Sequence, residues 1–195
     1  LGTETALLDQ GAGNTLTNTG TISLEGGVAG GIVELTSDLD NQGLVTVTSS
    51  AEARLNGASG ATGSLDNSGT ISIAAGKQLK AGLDTGQSGS LNFTNSGSID
   101  VSGKFTLQQT TLTHTVTLTT VSGAEFSVIE NSVLNLTADV LNVAGSTLTV
   151  GNGTATGEVG GSGTLFNASV LALNNGTLSG NTNDSSGAIS FQGNA

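Results

Sequence analysis

An all-β parallel solenoid, a single domain over residues 1–195, is the architecture this chain points to. Three features carry that reading. A short motif recurs along the chain, each copy alternates apolar and polar residues, and there are 31 glycines but no proline. The motif opens as Leu16-Thr17-Asn18-Thr19-Gly20-Thr21-Ile22-Ser23-Leu24 and returns as Leu39-Asp40-Asn41-Gln42-Gly43-Leu44-Val45-Thr46-Val47. It then recurs as Leu65-Asp66-Asn67-Ser68-Gly69-Thr70-Ile71-Ser72-Ile73 and Phe93-Thr94-Asn95-Ser96-Gly97-Ser98-Ile99-Asp100-Val101.

Each segment of the motif has a physical reason. Period-two alternation puts one strand face inward, so Ile22, Val45, Ile71 and Ile99 should stack in one core row and Leu24, Val47, Ile73 and Val101 in the next. The residues Asn18 and Gly20, Asn41 and Gly43, Asn67 and Gly69, Asn95 and Gly97 should form the corners, since Asn and Gly most readily adopt positive φ. Aligned on successive coils, the four asparagines should satisfy one another as an amide ladder. Less perfect copies follow Gly123, Gly145, Gly163 and Gly187, and spacings of about 18–28 residues suit stacked supersecondary units. About eight coils should result, at roughly 4.8 Å per coil. A coil cannot bury its apolar face alone, so stacking supplies the core. The missing proline keeps backbone donors available for the ladders.

Composition excludes several functions. Four Lys+Arg against 15 Asp+Glu give a formal charge of −11, which repels nucleic acid and anionic membranes. With no Cys there are neither disulfides nor thiolate metal sites. No apolar run reaches the roughly 18–20 residues of a membrane helix. Starting at Leu1, the chain reads as a processed protein or a piece of a longer repeat protein.

The run Leu65-Asp66-Asn67-Ser68-Gly69-Thr70-Ile71 resembles repeats of large secreted bacterial β-helical proteins, among them filamentous haemagglutinin-like adhesins and autotransporter passenger domains. The likeness is good over residues 14 to 103 and looser beyond. It implies a right-handed β-helix at a bacterial cell surface or outside the cell, with specific function held in loops or in domains that the stalk carries.

No residues stand out as catalytic, metal-ligating or cofactor-binding. His114, the only histidine, lacks an acidic or second histidine partner in sequence and reads as structural. Alternation sets it with Leu112, Val116 and Leu118, opposite Thr111, Thr113, Thr115, Thr117 and Thr119. That threonine face is not repeated in Phe126-Ser127-Val128 or Leu148-Thr149-Val150, as an ice-binding array would require. Asp38 and Asp40 share one side of a strand, but Asp40 occupies a repeat-determined polar position. Arg54 and Lys80 each lie eleven residues past a motif glycine, which stacks them on adjacent coils as a contact for an anion or acidic glycan, with Glu52 near.

The expected role is therefore an extracellular structural rod or filament subunit for adhesion, cell aggregation or matrix formation such as biofilm. It would associate end to end through unpaired strand edges, with a host or matrix surface as a further partner. A carbohydrate-active β-helix enzyme and an ice- or glycan-binding module are the alternatives. Dispersed acids count against the first and an aromatic content of 3% against sugar stacking.

Overall fold

A computed structural model describes the chain except for residues 1–4, 10–12, 26–30, 50–51, 57–61, 84–87, 117, 143, 180, 184–185 and 193–195. The described residues form an all-β parallel solenoid in which every turn contributes a strand to each of three faces. The first face is a 9-stranded sheet from Thr5–Asp9 to Ala188–Gln192, and the second an 8-stranded sheet from Thr15–Asn18 to Gly176–Leu178. The third face is made of two 4-stranded sheets, joined by a bridge between Val101 and Thr120. All strand pairs are parallel, because each strand pairs with its equivalent one turn away. No helix among the described residues is long and apolar enough to cross a membrane.

Alternation along each strand becomes columns across turns. On the first face Ala53, Leu79, Phe105, Phe126, Leu148 and Leu171 stack in register, all buried. Beside them run Leu35, Leu55, Ala81, Leu107, Val128, Val150 and Leu173. The second face adds Leu39, Leu65, Phe93, Leu112, Leu134 and Val159. On the third face Val45, Ile71 and Ile99 form one buried column and Val47, Ile73 and Val101 the next. Ile22 pairs with Val45 but is only half-buried, and Leu24 is buried where the register slips, between Ser23 and Glu25. Three of the five phenylalanines fill the centre: Phe93 meets Phe105 edge-on at 6.5 Å, and Phe105 stacks on Phe126 at 5.2 Å.

The corners correct the sequence reading in two ways. None of Asn18, Gly20, Asn41, Gly43, Asn67, Gly69, Asn95 and Gly97 has positive φ. Left-handed residues instead make the corner between the first and second faces, at Gly82, Gln109, Glu130, Asn131, Gly151 and Asn175, and the turn into the first face, at Gly76, Gly123 and Gly145; at the corner between the second and third faces Gly161 alone of the described residues is left-handed. The motif glycines answer a demand for closeness. A Cβ on Gly43 would lie 2.2 Å from the Gly20 carbonyl oxygen, one on Gly69 2.1 Å from that of Gly43, and one on Gly97 2.0 Å from that of Gly69. These carbonyls accept hydrogen bonds from Leu44, Thr70 and Ser98 one turn on, so the backbones must approach.

The second correction concerns register. Gly163 precedes a third-face strand, as the motif glycines do, and its Cβ would meet the Ala138 oxygen at 2.2 Å. Gly123, Gly145 and Gly187 precede first-face strands and belong to another corner. Spacing alone cannot separate two glycine-bearing corners of one turn.

Candidate functional site

The most organised polar feature is the corner between the second and third faces. Asn18, Asn41, Asn67 and Asn95 end successive second-face strands and are aligned by the sheet register. All four are buried. Asn18 Nδ2 donates to Asn41 Oδ1 at 2.7 Å, Asn41 Nδ2 to Asn67 Oδ1 at 2.5 Å, and Asn67 Nδ2 to Asn95 Oδ1 at 2.6 Å. The second proton of each amide reaches a backbone carbonyl, that of Leu44, Thr70 or Ser98, at 3.2 Å. Those carbonyls determine which end of each amide is nitrogen, so the ladder has a direction. It also anchors the corner backbone, where the Asn18, Asn41 and Asn67 carbonyls each accept two N–H groups from the next turn and the Asn95 carbonyl accepts the Thr115 N–H and hydroxyl.

The ladder ends on His114. In the register after Asn95 the side chain is imidazole, 1% exposed, with Asn95 Nδ2 2.9 Å from its Nδ1. The other Asn95 proton goes to the Gly97 carbonyl at 3.0 Å, so Nδ1 must accept and Nε2 must carry the hydrogen. Nε2 itself is buried without a hydrogen-bond partner among the described residues. Burial without a counter-charge lowers the His114 pKa from 6.5 to about 4. One turn further the position is Leu136, then Gly161.

Polar stacking then passes to the corner between the third and first faces. There Val47, Ile73 and Val101 give way to Thr120, Asn142 and Asn167. Asn142 Nδ2 donates to Asn167 Oδ1 at 2.6 Å, and Ser146 bridges Asn142 Oδ1 to Thr120, at 2.6 and 2.9 Å. This second stack lies outside the Asn-x-Gly motif. Its signal is present in Val140-Leu141-Asn142 and Leu165-Phe166-Asn167, two apolar residues followed by asparagine at matching points of adjacent turns.

The other candidates lie on outer faces. Lys80 and Arg54 are opposite one another on adjacent strands, and Glu34 is opposite Arg54. Glu52 accepts from Arg54 Nε and lies 3.4 Å from Lys80 Nζ, which relieves the repulsion that stacking the two cations creates. Both cations are thus engaged with an acid of the same sheet. Asp40 stacks on Asp66, and Asp38 Oδ1 caps the Ser64 N–H at 2.8 Å. Among the described residues no three of His, Cys, Asp and Glu converge as a metal set. Thr111 and Thr113 face outward on the second face, Thr115 bends into the corner to bond the Asn95 carbonyl, and Thr117 lies outside the described residues.

Two shallow grooves of about 230 Å³ each lie on the surface. One is lined by Lys77, Gln78, Lys104, Glu125 and the turn glycines, the other by Ser90, Gln109, Thr110, Thr111 and Asn131. The first was invisible to spacing arguments because Lys77 and Lys104 come together only through the stacking of turns. No family model, no curated protein and no solved structure matches this chain.

Proposed function

We propose that this protein is an extracellular structural rod or filament subunit of bacterial type, serving adhesion, cell aggregation or matrix formation. One observation carries the reading. Hydrophobic columns and polar stacks run in register from turn to turn, so the ordered side chains are committed to continuity along the axis. Parallel pairing on three faces resists both bending and stretching, and a charge of −11 opposes lateral clumping. Among the described residues the outermost first-face strands, Thr5–Asp9 and Ala188–Gln192, pair on one side only. The columns surface there as Leu8, 49% exposed, and Ile189, 39% exposed, which favours end-to-end association. The filamentous haemagglutinin-like and autotransporter resemblance agrees with this role and with a secreted or cell-surface location.

Electron microscopy of the purified protein, with and without chelator, tests the proposal. Short rods that join end to end irrespective of chelator are expected. Monodisperse particles that never associate, together with turnover of an anionic polysaccharide, would replace it with the enzyme reading.

A further inference from the structure

Every rung of the amide ladder offers an acceptor to the turn before it and a donor to the turn after. Asn95 therefore presents an N–H that must find an acceptor, and the next position holds the one side chain of the ladder whose acceptor disappears on protonation. We propose that His114 is an acid-sensitive lock: with Nδ1 unprotonated it closes the ladder, and on protonation it opens the solenoid at the turn where polar stacking changes corners.

The consequence of protonation is set by geometry. A proton on Nδ1 would place two donors face to face at 2.9 Å and put a positive charge in an apolar interior. Among the described residues no counter-charge is placed to compensate it. The strands packed against Thr110–His114 are Ser90–Asn95, Ser132–Leu136 and Lys104–Gln108. The first two contain no ionisable side chain, and the third has only Lys104, which is exposed and paired with Glu125 on the outer surface. Among the described residues His114 is the only buried ionisable group.

Location makes the effect local. On one side of His114 the ladder runs back through Asn95, Asn67, Asn41 and Asn18; on the other, Leu136 cannot continue it. The third face also breaks here, its two sheets being joined only by the Val101–Thr120 bridge. The ladder of the third face is thus interrupted at the turn where the asparagine ladder ends.

The sign follows from the two pKa values. In the folded state His114 titrates near 4 and in the unfolded chain near 6.5, so unfolding takes up a proton between those values. The stabilising contribution is complete above about pH 6.5, declines as pH falls towards 4, and is fully lost below.

Hydrogen exchange at pH 7 and pH 4.5, corrected for intrinsic rates, provides the test on the full chain and on His114→Asn, which keeps a ladder acceptor but cannot titrate. The wild type should lose on the order of fifty-fold protection across residues 90–120 at pH 4.5, with less change in turns further away. In His114→Asn that pH-dependent loss should vanish. Equal protection at both pH values, a loss spread evenly along the chain, or the same loss in the variant would overturn the proposal. Should the variant not fold, imidazole ¹⁵N shifts of the wild type decide it alone. An Nε2–H tautomer that protonates well below 6.5 supports the lock, and an Nδ1–H tautomer or an ordinary titration refutes it.

Discussion

Glycine at the corner of this solenoid is selected by what lies one turn below it. Gly43, Gly69 and Gly97 have ordinary backbone angles, yet a methyl group on any of them would fall within about 2 Å of a carbonyl oxygen that is hydrogen-bonded. Gly20 carries the same motif and has open space at that point. Two identical substitutions should therefore differ sharply. Gly69→Ala should cost about 3 kcal/mol or more, through displaced backbone and a lost carbonyl bond, whereas Gly20→Ala should stay within about 0.5 kcal/mol. Urea denaturation of the two variants beside the wild type checks this, and equal losses would mean that the turns are not stacked so closely. Asparagine is chosen for different chemistry: one amide can accept from the turn before, donate to the turn after, and still give a proton to the backbone. His114 keeps only the accepting role, which is why it can end the ladder but cannot extend it.

Strands here are short, many of four or five residues, and draw their stability from columns that cross turns. Phe105 shows this most clearly, touching Phe93 of the neighbouring face and Phe126 of the next turn. Truncation to Ala should cost about 3–5 kcal/mol. Thermal unfolding followed by circular dichroism should show the drop, and a loss under about 1 kcal/mol would deny that the interior is a packed column. The second- and third-face strands of the first four turns were legible in the sequence, because Ile71-x-Ile73 and its equivalents alternate cleanly behind an Asn-x-Gly corner, whereas the first-face strands carry no such motif. In later turns the legibility fades for a physical reason. Each turn has three corners, and glycine can serve a close approach at one, as Gly163 does, or a left-handed turn at another, as Gly123 and Gly145 do. One-dimensional spacing merges those demands. The Lys77–Lys104 groove was hidden because contacts between turns depend on loop lengths between corners.

At the scale of the molecule, each turn is joined chiefly to its neighbours, so stability is a sum of similar units coupled along one axis. The polar spine shifts from one corner to another partway along, at the turn of His114 and Thr120. A rod built this way should yield under axial load turn by turn. Single-molecule stretching between tags at the two ends tests the structural reading most directly. A series of force steps is expected, each releasing about one turn of chain, on the order of 80 Å at full extension. Extension of the whole chain in one low-force event would contradict it.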